Sequence, residues 1–262
     1  MNQERKTAMM KQKIREYAKS LDVDDVGFAA IVDYNSPRSP KIEAIFPEAK
    51  SLVVMAVKEM SHVESPNPQI AMTGRLDIME YARGVNYKVA RFLEKQCGAR
   101  AMSVPLSYPL NMDPATGGVV GDVSLRHAAI AAGLGAFGRH NLVVHPRLGS
   151  RVIFLAVLSD IELPSDPPVS ENPCTQCNLC VENCPAGALE KEGFTDVMKC
   201  LKVSQPYGLA KNIRFWLGMA GRTAEEQKKM LISKDYWMMY QANSIGNHYF
   251  CFQCYASCPL GE

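Results

Sequence analysis

The chain lacks the features that would tie it to a membrane, to the secretory route or to a polyanion. None of its apolar runs approaches the roughly 20 residues of a membrane span. Its opening residues form neither a secretory signal nor a twin-arginine leader. The 29 basic and 27 acidic residues nearly balance, and a net charge of +2 gives no overall attraction to nucleic acid or anionic lipid. These absences favour a cytoplasmic protein.

Cysteine, in contrast, is abundant, and most of the nine cysteines follow a pattern. The first block has the run C-x2-C-x2-C-x3-C-P over 174–185, and the second has C-x2-C-x3-C-P over 251–259. Cys200 lies between the two blocks. Runs of this kind supply thiolates to [4Fe–4S] clusters, and the last cysteine of a run ligates the other cluster. The sequence therefore predicts two [4Fe–4S] clusters in a protein that moves single electrons, in a reducing, anaerobic setting.

The spacing also predicts which cysteines hold which cluster. Cluster A is expected to use the first three cysteines of the first block and the last of the second: Cys174, Cys177, Cys180 and Cys258. Cluster B is expected to use the remaining block cysteines and the isolated one: Cys184, Cys200, Cys251 and Cys254. Structural zinc would need separate four-ligand sites, and disulfides would need an oxidising compartment. Cys97 lies outside the pattern and is expected to be an ordinary thiol.

The hydropathy pattern divides the chain at a proline-rich linker, 164–173. We expect an α/β domain over 1–163 and a ferredoxin-like cluster domain over 164–262, with a helical insertion over 209–245. In the first domain, apolar runs predict strands at 25–31, 51–57, 100–104 and 151–158, the last in a hairpin that turns near Pro146–Gly149. Helical periodicity predicts helices at 8–21, 73–96 and 123–132, with Thr73 and Asp122 as N-caps.

Three segments in order carry a family resemblance: YARGVNYK, then AAGLGAFGRHNLVVHPRLGSRV, then the cysteine blocks. This order resembles epoxyqueuosine reductases and the catalytic subunits of reductive dehalogenases. The resemblance implies a nitroreductase-like α/β fold and a corrinoid (cobalamin), bound base-off beside two [4Fe–4S] clusters. Epoxyqueuosine reductases continue into a helical-repeat region that helps hold tRNA, whereas this sequence stops at Glu262. With the low net charge, this argues against tRNA as a partner.

The same resemblance nominates residues outside the cysteines. Candidates for catalysis are an acid upstream of the glycine-rich segment and two residues of the shared motifs: Asp122, Tyr81 and Arg139. Asp122 is out of register with the family's aspartate, and a plain helix cap is the alternative role. Candidates for cofactor binding are Tyr87, Arg83, Gly133, Gly135, Gly138 and His140. The glycines would let the backbone approach a flat ligand, or would simply form a tight turn. His127 is expected on the polar surface.

Two functions of different class stay open. One is a corrinoid-dependent reductase of a small molecule, such as an epoxide or an organohalide, supplied with electrons by a low-potential ferredoxin or flavodoxin. The other is an electron-transfer protein that reduces a corrinoid or flavin on a partner and has no substrate of its own. FMN in place of the corrinoid is a further possibility, although GLGAFG does not resemble a dinucleotide-binding turn.

Overall fold

The computed structural model describes residues 3–106, 110, 111, 120–246 and 248–261. Within these residues the α-helices are α1 (Gln3–Lys19), α2 (Pro68–Cys97), α3 (Leu125–Ala131), α4 (Leu179–Glu182), α5 (Val197–Ser204), α6 (Leu209–Met219), α7 (Ala224–Leu231), α8 (Lys234–Ile245) and α9 (Gln253–Ala256). The strands are β1 (Asp25–Ala30), β2 (Ser51–Lys58), β3 (Ala101–Ser103), β4 (Ala136–Phe137), β5 (Val143–Val144) and β6 (Val152–Ser159). No helix in the described ranges is long and apolar enough to cross a membrane.

The main sheet is antiparallel, with strand order β1-β2-β6-β3. Its central strands β2 and β6 pair over their full length, with Val54 opposite Ala156. Nearly every residue of these two strands is buried, because the sheet is covered on both faces. Small side chains of α3 (Ala128, Ala129) join one of the cores. The continuous apolar runs that predicted these strands are thereby explained, and the mixed α and β fold class is confirmed.

The chain forms two compact units. The first, called the sheet unit, comprises residues 1–59, 79–177 and 259–262. The second, called the helical unit, comprises 60–78 and 178–258. The expected domain border at 163/164 lies inside the sheet unit, so the structure divides the chain differently, and that border stays a prediction.

The proline-rich linker is bonded to the sheet unit. Asp166 accepts hydrogen bonds from Lys11 (2.5 Å), Arg15 (2.9 Å) and the backbone N–H of Phe28 (3.1 Å). Ser165 Oγ accepts from the backbone N–H of Ala30 at 2.8 Å. These bonds occupy the outer edge of β1, which has no strand partner on that side among the described residues. The segment that composition marks as a linker is therefore a strap along a sheet edge.

The helical unit has a smaller core. Val63, Ala71, Met72 and Phe252 are buried together, and Tyr255 packs against them. The guanidinium of Arg75 lies 5.3 Å from the Tyr255 ring centroid and donates to its hydroxyl at 3.4 Å. The short helices α4 and α9, which carry cluster cysteines, pack against each other.

Two predicted N-caps are wrong. Helix α2 begins at Pro68, because proline suits the first helical position and Asn67 Oδ1 accepts from the N–H of Gln69 at 3.0 Å. Thr73 lies inside this helix and donates to the carbonyl of Gln69. Helix α3 begins at Leu125 with Ser124 as its N-cap, so Asp122 lies outside the helix.

The predicted hairpin is also wrong in its pairing. The turn itself is present, with a backbone bridge between His145 and Gly149. However, β5 pairs with β4, while β6 pairs with β2 and β3. A single apolar pattern on either side of a turn does not distinguish these partners, since both pairings bury the same side chains.

Candidate functional site

The structure brings together the four cysteines expected to hold cluster B, all of them in the helical unit. Cys254 is the most enclosed, and burial raises the pKa of its thiol to about 12, helped by the negative charges of Cys251, Cys200 and Cys184. Burial likewise raises the pKa of Cys251, and Cys200 and Cys184 add to the effect. Such mutual repulsion requires short distances between the thiols. A cationic iron cluster would reverse it by binding the thiolates.

Hydrogen bonds also surround this thiol group. The N–H of Ala188 donates to Cys184 Sγ at 3.4 Å, and the hydroxyl of Ser204 lies 3.8 Å from Cys200 Sγ. The hydroxyl of Tyr249 lies 3.9 Å from the same sulfur. Burial raises the pKa of Tyr249, with further contributions from Cys200 and Cys254. Tyr249 therefore stays protonated beside Cys200, an expected cluster ligand, a position that sequence analysis missed although the residue lies two positions before Cys251.

The cysteines expected to hold cluster A are distributed over both units. Cys174 and Cys177 belong to the sheet unit, and Cys180 and Cys258 are buried in the helical unit. Cys174 Sγ accepts from the backbone N–H of Arg139 at 3.3 Å. Within the described residues, no group of three or more His, Cys, Asp or Glu side chains is arranged so that it could hold a single metal ion.

The cysteine runs have unusual backbone geometry. Gln176 (φ 57°) and Asn178 (φ 64°) both adopt the left-handed conformation that residues with a Cβ rarely take. A chain that alternates between right- and left-handed residues curls its N–H groups inward, which is the geometry of many iron–sulfur sites. The local strain therefore fits a loop shaped around a cluster whose positive core becomes anionic overall once four thiolates are bound.

The sheet unit contains a cavity of about 380 Å³ beside α3. Its wall includes Arg38, Asp122, Ser124, Arg126 and His127. The volume lies at the low end of the ~300–1,000 Å³ typical of small-molecule sites. Charged and polar groups converge on it from the loop at 36–39 and from the start of α3. The cavity therefore suits a small polar ligand.

Asp122 and His127 are the titratable pair of this cavity. Asp122 Oδ1 accepts a hydrogen bond from Asn111 Nδ2 at 3.1 Å. Ser124, and not Asp122, is the N-cap of α3. His127 is half-buried, contrary to the expected polar surface, because its ring packs edge-on against Phe137. Ser124 Oγ lies 2.8 Å from His127 Nδ1. Burial lowers the pKa of His127, and the charge of Arg126 lowers it further, so the imidazole is neutral at pH 7.

Other candidate residues lie away from this cavity. The hydroxyl of Tyr81 donates to the carbonyl of Leu21, and burial together with Asp22 raises its pKa, which makes it a poorer acid. Tyr87 is exposed, and its hydroxyl accepts from Arg91 at 3.3 Å. Arg83 is exposed on α2. None of the three borders the cavity at Asp122.

The glycine-rich turn is filled by protein atoms. A Cβ on Gly133 would lie 2.3 Å from the carbonyl oxygen of Pro167, and one on Gly135 would lie 2.4 Å from that of Val144. At Gly138 it would lie 2.7 Å from Val144 Cγ2. In the direction of a Cβ, the close approach that these glycines permit is to the protein's own atoms. The expected role of the three glycines in cofactor binding stays a prediction.

His140 serves the same turn. It is buried, and burial lowers the pKa of its imidazole to about 4. Its Nδ1 accepts from the N–H of Leu142 at 3.1 Å. His145 is also structural: its Nδ1 accepts from the N–H of Leu148, and its Nε2 lies 3.2 Å from Asp25 Oδ2.

Comparison with known proteins first defines a class. Residues 167–190 match the model of the 4Fe-4S binding domain. This segment contains the whole first cysteine block, so an iron–sulfur oxidoreductase is the class that sequence and fold support.

Whole-chain comparison with curated proteins identifies a narrower family. Over 220 residues, 73% of this chain, it is 26% identical to the epoxyqueuosine reductase of Bacillus subtilis, of which it covers 54%. Over 76 residues it is 41% identical to that of Vibrio cholerae, covering 29% of this chain and 20% of the relative. The resemblance to this family is thereby confirmed. The chain spans about half the length of the curated relatives that it matches over most of its own length.

Solved structures show the same fold. A selenomethionine-labelled epoxyqueuosine reductase has a TM-score of 0.61 at 22% identity, covering 97% of this chain and 66% of its own. A reductive dehalogenase, described with a mechanism for B12-dependent dehalogenation, has a TM-score of 0.57 at 19% identity, covering 88% and 35%. An epoxyqueuosine reductase bound to a modified tRNA stem loop has a TM-score of 0.53 at 22% identity, covering 74% and 56%. The tRNA stem loop bound to that relative conflicts with the expectation that tRNA is not a partner.

Proposed function

We propose that this chain is a reductase that passes electrons singly from two [4Fe–4S] clusters to a corrinoid and reduces a molecule bound at the Asp122 cavity. The observation that carries the proposal is the gathering of Cys184, Cys200, Cys251 and Cys254 in one unit. The proposed ligand sets are those expected from the spacing.

The corrinoid comes to this chain from its relatives. When bound, it would supply a low-valent cobalt that delivers electrons to the substrate. In the direction of a Cβ the glycine turn leaves no room for it, since Gly133, Gly135 and Gly138 face protein atoms there. A cavity of about 380 Å³ is small for a whole corrinoid and suits the substrate instead.

The chain's own contribution to the chemistry is then a proton. Asp122 and His127 border the same cavity, and Ser124 engages one ring nitrogen of His127. The other nitrogen, Nε2, would take up a proton from water and pass it to the bound molecule, so that the neutral imidazole is restored after each transfer. Arg38 and Arg126 on the same wall would orient a substrate with partial negative charge.

The first test concerns the clusters. Protein reconstituted anaerobically with iron and sulfide should show two [4Fe–4S] signals by EPR after reduction. Cys254→Ser should lose the signal of cluster B and about half of the iron, since one of four ligands is missing. Cys97→Ser is the matched control and should retain both. Full iron content in Cys254→Ser would refute the ligand assignment.

The second test concerns the acceptor and the substrate. Titration with hydroxocobalamin should give a stoichiometric base-off Co(II) EPR signal. Epoxides, organohalides and a modified tRNA stem loop are then compared as substrates. For the substrate that turns over, Asp122→Asn should lower kcat about 10²-fold or more, whereas exposed Glu162→Gln should not change it. Two clusters without cobalamin binding would leave an electron-transfer protein.

A further inference from the structure

Helices α6 and α8 of the helical unit present a row of aromatic side chains to solvent. Trp216 lies 6.4 Å from Tyr236 between ring centroids, Tyr236 lies 5.6 Å from Trp237, and Trp237 lies 5.8 Å from Tyr240. Trp216, Trp237 and Tyr240 are each about half exposed, at 52%, 51% and 52%. They include both tryptophans of the chain. We call this row, with the apolar residues beside it, the aromatic face.

Aliphatic side chains extend the aromatic face. Leu209 (77% exposed), Leu217 (71%) and Ile213 (50%) lie on α6 with Trp216. An open groove of about 490 Å³ lies beside Phe215 and is lined also by Met230 of α7 and Lys234 of α8. Single exposed apolar residues are ordinary, but a contiguous patch with polar neighbours marks an interaction site.

The segment that carries the aromatic face has a net positive charge. Residues 197–249 contain eight basic residues: Lys199, Lys202, Lys211, Arg214, Arg222, Lys228, Lys229 and Lys234. They contain only three acidic ones: Glu225, Glu226 and Asp235. The chain as a whole has a net charge of +2, so the remainder is net acidic. The basic groups include Arg214, three positions before Leu217, and Lys234, three positions before Trp237, spacings that place them on shared helix faces.

Both ends of this segment are attached at the thiols of cluster B. It joins Cys200 to Cys251, and the N–H of Phe250 donates to the carbonyl of Ser204 at 2.7 Å. The rings of Tyr207 and Phe250 meet edge-on with centroids 5.6 Å apart. A partner bound to α6 and α8 would therefore contact the segment whose two ends meet beside the expected ligands of cluster B.

We infer that the aromatic face docks an acidic, low-potential iron–sulfur electron-carrier protein that reduces cluster B. The inference rests on the proposed function in that the clusters need a donor. The glycine-rich turn leads into β4 instead of a helix, so it is no dinucleotide-binding site that would supply hydride. In each transfer the carrier's cluster loses one electron and cluster B gains it, with no bond made or broken.

The composition of the aromatic face favours a protein over RNA. Aliphatic Leu209, Leu217 and Ile213 offer no surface for base stacking, which uses aromatic rings. An apolar centre containing tryptophan, with arginine and lysine around it, is the anatomy of a protein interface. The basic rim would speed the approach of an acidic partner and fix its orientation.

The test is anaerobic stopped-flow reduction of the reconstituted protein by a reduced, acidic [2Fe–2S] ferredoxin. The second-order rate should fall steeply as salt rises, because the rim charges are screened. Lys234→Glu and Trp237→Ala should each lower the rate at low salt by about tenfold or more. The matched control Lys6→Glu reverses an exposed charge on α1 of the sheet unit and should leave the rate unchanged. Equal rates in all variants would overturn the inference.

Reduction by dithionite separates this inference from the proposed function. If dithionite reduces both clusters at the same rate in every variant, a slow reaction with ferredoxin locates the defect at docking. Trp237→Phe, which keeps an aromatic ring, should restore most of the rate. A dimer in sedimentation that Trp237→Ala dissociates, or a tRNA stem loop that competes with ferredoxin, would assign the face to another occupant and overturn the inference. Failure to bind cobalamin would refute the proposed acceptor and leave the ferredoxin rates intact.

Discussion

Gly133 is held in a left-handed conformation, φ 72°, against the carbonyl of Pro167. Gly133→Ala should therefore lower the free energy of unfolding by about 3 kcal/mol, from the strained backbone and the overlap with Pro167. The matched control is Gly84→Ala, in helix α2, where a Cβ would meet nothing within 4 Å. This control should stabilise the protein by about 0.5–1 kcal/mol. Both values are measured by urea unfolding of the cofactor-free protein.

The outcome distinguishes packing from cofactor binding. If Gly133 faced a flat ligand instead of Pro167, the alanine variant would lose only the part due to the left-handed backbone, about 1 kcal/mol, and would also lose ligand affinity. The sequence supports both explanations. A cluster of glycines indicates that something packs closely against the backbone, but it does not show whether that is the protein itself or a ligand.

Asp25 couples the stability of the sheet unit to pH. A hydrogen bond from His145 is the main reason that the pKa of Asp25 falls from 3.8 to about 2, with help from the N–H of Val26 and the charge of Arg147. A lowered carboxyl pKa stabilises the fold above the unfolded pKa of 3.8, and this stabilisation disappears as pH falls toward 2.

Asp25→Asn should cost about 1 kcal/mol of unfolding free energy, less than the full shift implies because the carboxylate is partly exposed to solvent. The cost should be equal at pH 7 and pH 5 and should shrink at pH 3. Urea unfolding at the three pH values measures it. A cost that is the same at pH 3 as at pH 7 would contradict the coupling.

The two iron–sulfur clusters could be predicted from the sequence because their ligand chemistry fixes both residue type and spacing, and the assignment of particular cysteines to each cluster stays a prediction. Asp122 and His127 were harder to place. Whether Asp122 caps α3 depends on a helix start two residues later than the periodicity suggests. His127 reaches the cavity only because the loop at 36–39 lies across the start of α3, and sequence distance gives no sign of that contact.

At the scale of elements, one carboxylate makes most of the side-chain bonds that hold the strap along β1. Asp166 joins Lys11 and Arg15 of α1 to the N–H of Phe28. Asp166→Ala should lower the free energy of unfolding by about 2 kcal/mol, because it leaves a backbone donor and two cations without this acceptor. Exposed Glu162→Ala, four residues earlier, should change it by less than about 0.5 kcal/mol. Equal effects of the two substitutions in urea unfolding would show that the strap adds no stability.

Elements with strong local signals were predicted well. Strands β2 and β6 lie within one residue of their predicted ends, since a buried apolar run fixes a strand. Strand pairing was predicted less well. Strand β5 pairs with β4, and this pairing depends on the missing side chain of Gly135, which lies close to Val144, and not on a hydropathy pattern. The linker was misjudged because Asp166 sits among prolines that indicate an unattached chain.

At the scale of the whole molecule, the two units differ in what holds them together. The sheet unit buries two complete central strands and the helices that cover them. The helical unit buries few large apolar side chains in its described core and keeps four cysteine thiols in close proximity instead. Without iron, the thiols contribute no ligand bonds, and those of Cys251 and Cys254 are poorly solvated.

Removal of iron should therefore act mainly on the helical unit, which contains six of the eight cysteines expected to bind the clusters. After anaerobic treatment with a ferrous chelator, amides over 178–258 should lose hydrogen-exchange protection, whereas those of β2 and β6 should keep it. The reason is that metal binding and folding are linked where the ligands themselves make up much of the core. Mass-spectrometric exchange of the loaded and the chelated protein measures both regions in one experiment. Equal loss in both units would mean that the sheet unit also depends on the clusters, and no loss would mean that the helical unit folds without them.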